Sequence, residues 1–392
     1  MKKIGIAIIG ASHRSSALFD FTKQYGKVAF VTGLYDLIPE RASCLIDHYA
    51  AKDVVIYKSM HEAIHDPRAE AIFIGTPDSQ HVEPAVMALE AGKHVYCEKP
   101  MAITLEDCDK IINAAKNANS VFYLGMNLRH GPFHEKIHQI ITSGQLGKVL
   151  TIEANEYYGG GRSYFRRWNR LRKFGGGLWI TKSCHDFDLL NWLAGAKPKS
   201  VYASSNLSFY TKKPEGGMSC RECPIKGTCS DYYDIMKPEL PLQNKLLEIT
   251  EKTTGLPRDL CLFNSEKDTF DNGMALVEYE NDIRATYTVS VVSGRNTREL
   301  RVQGTLGSLE GDIEEGIIKI WPRYSQEVLT VDVRDMMNSS HEGADDRIFM
   351  DFFNCCCTLS KPRSSWADGR LSLELALAAT RSCDEGQLIK VN

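Results

Sequence analysis

The first 125 residues alternate short apolar runs with stretches of helical periodicity, and that rhythm constrains the fold more than any other feature of the chain. The runs fall at 4–9, 28–35, 54–56, 71–75, 94–97 and 121–125. Helical patterns fill the gaps, near 14–25, 39–50, 60–66, 79–91 and 104–118. Such repetition predicts a parallel, doubly wound sheet with helices on both faces, because parallel neighbours need a crossover and its helix packs back on the sheet. After about residue 149 the texture changes. Strand-like stretches follow one another at 149–158, 199–209, 274–280, 283–292, 298–304 and 316–321, with a helix at about 185–193. They predict a largely antiparallel sheet with one open face. Two helical patterns, near 344–358 and 370–383, close the chain.

A length of 392 residues suits two domains. The expected division is α/β, with a doubly wound parallel domain at 1–125 and an α+β domain at 126–392. Within the second, 211–265 is rich in Pro, Gly, Cys and charge and reads as an insertion without periodicity, and 344–392 carries the closing helices. A formal charge of −3 leaves no electrostatic footprint for nucleic acid. No apolar run reaches the ~18 residues of a membrane span. The N-terminus runs directly into a strand pattern without a signal-peptide cleavage region, so a cytoplasmic setting with twelve mostly reduced cysteines is expected.

Ile8-Ile9-Gly10-Ala11-Ser12-His13-Arg14-Ser15 joins the first strand to the first helix. A dinucleotide site needs small residues there, so that backbone N–H groups approach the pyrophosphate at the helix N-terminus. Of the G-x-G-x-x-G pattern only Gly10 is present. Ser12 and Ser15 replace the other glycines, and Ser12 reads either as a phosphate donor or as a helix cap. The second strand ends in Asp36, an acid placed to accept from the adenosine ribose hydroxyls and repel a 2′-phosphate, which favours NAD over NADP. No basic residue stands at 37 or 38. Gly75-Thr76-Pro77-Asp78 at the end of the fourth strand offers a turn whose backbone faces the cofactor, with His81 structural in the next helix.

Glu98-Lys99-Pro100 follows the apolar run 94–97. A lysine at the C-terminal end of a buried strand faces the crevice where open α/β sheets bind ligands, and the proline after it ends the strand. Desolvation there lets a lysine shed its proton more readily and act as acid or base.

On the Gly10 loop, Asp36, Gly75-Thr76-Pro77, Glu98-Lys99-Pro100 and Gly125-Met126-Asn127-Leu128-Arg129-His130, the chain resembles the Gfo/Idh/MocA family of nucleotide-dependent oxidoreductases along essentially its whole length. The resemblance implies an N-terminal Rossmann domain and a C-terminal domain whose open sheet forms homo-oligomers, dimers or tetramers. It implies hydride transfer on sugars, inositols or related polyols, with Lys99 on the reacting oxygen and Glu98, Thr76 and Pro77 at the cofactor. A second segment, Gly175-Gly176-Gly177-Leu178-Trp179-Ile180-Thr181-Lys182-Ser183-Cys184-His185-Asp186-Phe187-Asp188, is similar to the family's G-G-G-x-L-x-D-x-G-x-H-x-x-D. His185 falls on the proton-shuttling histidine and Asp188 on the acid one turn later. Thr181 stands where many dehydrogenase members carry Asp, and Ser183 where they carry Gly. Lys182 brings a second cation. Tyr164-Phe165-Arg166-Arg167-Trp168 and His341-Glu342-Gly343-Ala344-Asp345-Asp346 resemble a less characterised branch. The resemblance puts Arg129, Arg167, Trp168, Lys182, Asp188 and His341 at the substrate.

Cys220, Cys223 and Cys229 form C-x2-C-x5-C, a spacing that suits structural zinc or, second, an iron–sulfur cluster. Cys184 and Cys261 are the candidates for a fourth ligand. Cys355-Cys356-Cys357 point in different directions from one helix and read as packing. Three functional readings follow. The first is an NAD-dependent oxidoreductase acting on a carbohydrate or polyol. In the second NAD is recycled, and a transient oxidation permits elimination of a glycosidic bond; Thr181 is its motive. The third is a nucleotide-sensing regulator, against which Lys99 and His185 argue.

Overall fold

The computed structural model describes residues 2–337 and 341–391. The first sheet is built from β1 (Ile4–Ile9), β2 (Ala29–Tyr35), β3 (Val55–Ile56), β4 (Ala71–Ile74), β5 (His94–Cys97) and β6 (Phe122–Leu124). Its order is β3-β2-β1-β4-β5-β6 with every pairing parallel. The strand order therefore reverses between β1 and β4, and a ligand crevice opens at the carboxyl ends of those two strands. Every residue of β1 and β4 is buried, as a sheet covered on both faces requires.

The second sheet has nine strands. They are β7 (Val149–Tyr157), β8 (Pro198–Asn206), β9 (Asn272–Tyr279), β10 (Arg284–Ser290), β11 (Thr297–Gly304), β12 (Gly307–Asp312), β13 (Ile317–Pro322), β14 (Leu329–Asp332) and β15 (Ile389–Lys390). In the order β14-β13-β12-β11-β7-β10-β9-β8-β15 only the β7–β10 pairing is parallel. Strand β9 alternates buried and exposed residues, so one face packs inward. The other presents Tyr202 opposite Leu276, with Met274 alongside, all exposed.

Three strands and two helices depart from the expected layout. β12 reads Gly-Ser-Leu-Glu-Gly-Asp, and its two glycines and two acids hide the alternation. β14 is four residues long and β15 two. The helix Pro132–Thr142 was not anticipated. Nor is 211–265 wholly irregular, since Pro241–Thr254 is a helix. Its pattern is legible afterwards: Leu242, Leu246 and Ile249 share one face, Pro241 opens the first turn and Gly255 ends it at φ +73°. That face packs into the first domain's core, beside Leu45 and Ala42. The helix Ala344–Thr358 likewise lies on the first sheet, with Phe349 and Phe352 against Tyr96. The two halves of the sequence thus interpenetrate. Among the described residues no helix is long and apolar enough to cross a membrane.

Candidate active site

The loop after β1 has the geometry of a phosphate cradle. Gly10 adopts φ +98°, and a Cβ there would stand 2.8 Å from the backbone of Gly75 and Thr76. The ends of β1 and β4 are therefore in direct backbone contact, which only glycine permits. Ser12 caps the helix His13–Gln24, its Oγ accepting from Ser15 N–H at 3.3 Å. Ser12 is thus a helix cap, and its hydroxyl orders the turn. Beyond β4, His81 is buried between the Pro100 carbonyl at 2.7 Å and the Thr76 carbonyl at 3.1 Å. It pins the Thr76-Pro77 turn to the Lys99-Pro100 loop, the structural part expected of it.

Asp36 directly follows β2. Its Oδ2 accepts from Ala11 N–H at 2.7 Å and its Oδ1 from Ile38 N–H at 2.9 Å. No base stands at 37 or 38, yet the fold brings one from further along the chain. Arg41 Nε lies 3.5 Å from Asp36 Oδ2. The same guanidinium donates to the Ala11 carbonyl, the Leu246 carbonyl and Thr250 Oγ1. A helix from the insertion thereby holds Arg41 in place. These features fit a dinucleotide: a glycine cradle at a helix N-terminus, with an acid at the neighbouring strand end.

Lys99 Nζ donates to the Thr181 carbonyl at 2.8 Å, joining the two domains. Burial works against its charge, but Cys184, Tyr164, Asp78 and Glu98 around it raise its pKa above the ordinary lysine value. That direction runs against the expectation that desolvation would loosen its proton. Burial lifts the Asp78 carboxyl to about 7 although Lys99 pulls it down, and the Thr181 side chain lies against it. Its Oδ2 is buried without a hydrogen-bond partner. Asp78 is the residue that sequence reasoning passed over. Its signal was its place directly after Thr76-Pro77, one residue beyond the turn expected at the cofactor. His185 is partly buried, and desolvation, Lys99, Arg298, Lys182 and His341 together hold its pKa well below the ordinary value, which favours the neutral imidazole.

Several expected substrate residues are already engaged. Arg129 and Asp188 form a buried two-pronged pair at 2.6 and 2.7 Å, so they face each other and not an open pocket. Lys182 Nζ lies 2.7 Å from Glu156 Oε1 and 3.9 Å from the Tyr158 ring centroid. It belongs to a buried network through Glu156 to Arg298 and Asp186. Glu98 accepts from Arg14 Nε at 2.8 Å. Arg14 also grips Asp345, whose Oδ2 lies 2.8 Å from His341 Nδ1. His341 is therefore tied to Glu98 through Asp345 and Arg14. Arg167 differs: its Nε donates to the Ser163 carbonyl, and burial lowers its pKa against the weaker pull of Tyr164 and Tyr158. It is the cation best able to meet a further anionic or polar group. Trp168 packs against Gly175.

Cys184 is buried beside Lys99, and burial pushes its thiol to about 12. It lies with Lys99 and Asp78, apart from Cys220, Cys223 and Cys229. Those three line one pocket with Cys261.

Residues 4–126 match the model of an oxidoreductase family's NAD-binding Rossmann fold, and residues 138–392 match that of its C-terminal alpha/beta domain. The Bacillus subtilis protein YteT is 27% identical over 379 residues, covering 89% of this chain and 88% of the relative. The inositol 2-dehydrogenase of Salmonella typhimurium is 29% identical over 201 residues, 50% of this chain and 55% of that protein. The 2,7-anhydro-N-acetylneuraminate hydratase of Mediterraneibacter gnavus is 27% identical over 203 residues, 51% of this chain and 52% of that protein. Among solved structures, levoglucosan dehydrogenase in complex with NADH and levoglucosan superposes with a TM-score of 0.78 at 18% identity, over 99% of both chains. This likeness is one of fold.

Proposed function

Because this chain belongs to the Gfo/Idh/MocA oxidoreductase family, we propose that it is an NAD-dependent enzyme moving a hydride between nicotinamide and a sugar, inositol or related polyol. The observation that carries the reading is the meeting of Lys99, Asp78 and His185 where β4 and β5 end, beside the Gly10–Gly75 contact. NAD, when bound, accepts or returns the hydride. Gly10, the Ser12-capped helix end, Asp36 and the Thr76-Pro77 turn would hold it. Lys99 donates to the reacting oxygen and stabilises the negative charge that develops there. The neutral imidazole of His185 takes the hydroxyl proton in the oxidative direction. Asp78 restores a carboxylate beside Thr181, where the family resemblance leads one to expect an aspartate. Arg167 and Trp168 address the sugar. The open face of the second sheet, with Tyr202, Met274 and Leu276, serves a homo-oligomer, and the reaction belongs in the cytoplasm with the nicotinamide pool.

The test is steady-state NADH formation across a panel of inositols, aldoses and anhydrosugars. Net NADH with any of them supports the reading. A product released without net NADH moves the enzyme to the NAD-recycling alternative, which the hydratase relative and Thr181 favour. Neither outcome, with NAD still bound, leaves only the nucleotide sensor.

Two further results are expected. NAD should bind more tightly than NADP in a calorimetric titration, because Asp36 repels a 2′-phosphate and Arg41 is tied to Thr250. Asp36→Ala should narrow the preference; equal or tighter NADP binding by the wild type sinks the idea. The other concerns Asp78. Its folded pKa of about 7 lies above the ordinary carboxyl value. Its contribution to stability is therefore complete below about pH 4 and is lost as pH rises through 7. Asp78→Asn should flatten the decline of Tm between about pH 4 and 7. An unchanged pH profile of Tm would show that Asp78 is not the titrating group.

A further inference from the structure

We propose that Cys220, Cys223, Cys229 and Cys261 bind one structural zinc ion that fixes the lobe behind the substrate loop. The four thiols line a common cavity of about 20 Å³, together with Lys226 and Asp231. That volume is on the scale of a single ion or water. Two separate pieces of chain deliver the sulfurs. Cys220 and Cys223 sit on one tight turn, with Cys223 N–H donating to the Cys220 carbonyl at 3.3 Å. Cys261 arrives from 41 residues away (261 − 220) through an antiparallel bridge between Ser219 and Leu260. On its two sides Cys220 N–H meets the Asp259 carbonyl and Cys261 N–H the Met218 carbonyl, each at 2.9 Å.

Two of the sulfurs already accept backbone hydrogen bonds. Gly217 N–H points at Cys223 Sγ at 3.3 Å, and Asn264 N–H at Cys261 Sγ at 3.4 Å. Backbone donors aimed at sulfur stabilise its anionic, metal-binding form. A Cβ on Gly217 would stand 3.1 Å from Cys223 Cα, so the close approach depends on glycine. Arg166 Nη1 lies 3.9 Å from Cys220 Sγ, and with Lys226 it offsets the charge of a four-thiolate site. All four cysteines are free of disulfides. Among the described residues no three His, Cys, Asp or Glu side chains already converge on one point. Binding therefore requires the sulfurs to turn toward the cavity they line.

The site's place in the fold gives it a purpose. Residues 161–170 alternate between two surroundings. Tyr164 interacts with Lys99, whereas Arg166 enters the cysteine lobe and donates to the Asp231 carbonyl at 2.8 Å. Arg170 and Ser265 add backbone ties between loop and lobe. An ion that fixes the lobe thereby fixes the loop carrying Tyr164 and Arg167.

The experiment measures metal in full-length, tag-free protein prepared under reducing conditions with zinc in the medium. Cobalt substitution then reads the ligand set from its thiolate charge-transfer and tetrahedral bands. About one zinc per chain and a four-thiolate cobalt spectrum are expected. The metal should be lost in Cys220→Ser/Cys261→Ser and kept in Cys184→Ser and Cys383→Ser. If the double variant does not fold, Cys229→His, which keeps a zinc ligand, should hold zinc with an altered cobalt spectrum. Chelation should lower Tm and raise KM more than it lowers kcat. Protein that carries no metal under these conditions, or that carries iron with acid-labile sulfide, overturns the proposal. Because metal content is read without substrate, this outcome is independent of the oxidoreductase reading.

Discussion

Replacing Lys99 by alanine is expected to lower kcat by about 10³-fold, the middle of the range for a positioned acid–base group, with NAD affinity nearly intact. The lysine is partly buried at the end of β5, and the groups around it hold its pKa above the ordinary lysine value despite desolvation. It can therefore meet the reacting oxygen as a cation in either direction of reaction. Nothing in the Gly10 cradle or at Asp36 depends on it: those contacts run to Gly75, Ala11, Ile38 and Arg41. Lys99→Arg keeps charge but not shape, and a planar fork does not fit where a single point donor reaches the Thr181 carbonyl. That variant should remain severely impaired, separating position from charge. The checks are steady-state kinetics and a fluorescence titration with NADH, with Tm measured on both variants. A kcat within about tenfold of wild type would place Lys99 in a binding or packing part and move the chemistry to His185.

Much of the first domain was legible because its physics is local. Five buried strands and one short exposed one, separated by amphipathic helices, declare themselves in period and composition, and Gly10, Asp36 and Lys99 sit at strand ends where topology alone locates a crevice. What was not legible depended on partners distant in sequence. Asp36 reads as an acid without a nearby base until Arg41, one turn into the next helix, is pinned beside it by Thr250. Lys99 reads as a desolvated amine until Asp78 and Glu98 are set around it. Asp78 itself follows a turn already thought to face cofactor, but only the fold places it against Thr181. The cysteine spacing left two candidates for a fourth ligand, and neighbourhood decided between them. Cys184 lies with Lys99 and Cys261 with Cys220. Arg129 and Asp188 matched motif positions, but a motif does not say whether two opposite charges will find each other first.

That last pair supports the largest stability effect. Arg129→Met should destabilise the fold by about 3–5 kcal/mol, the cost of leaving a buried charge without its partner. Arg129 and Asp188 are almost wholly buried, with a looser contact from Arg129 to Asp368 at 3.1 Å and the Trp192 ring beneath the guanidinium. Burial lifts Asp188 to about 6 even with Arg129 pulling it down. Without the arginine the carboxyl should rise further and take up a proton. A buried acid with a raised folded pKa is stable below its unfolded pKa and loses stability as pH climbs through the folded one. The defect in Arg129→Met should accordingly be smaller at about pH 5 than at pH 8. Adding Asp188→Leu removes the stranded charge, so the double variant should recover most of the loss, since apolar replacement of a whole buried pair is often near neutral. Urea unfolding of the two single variants and the double at both pH values measures each quantity. The same proteins decide the role that the resemblance assigned to these residues. If Arg129 and Asp188 also bind the sugar, the stable double variant should show a large rise in KM; a KM near wild type would assign the pair to the architecture that holds His185 in place.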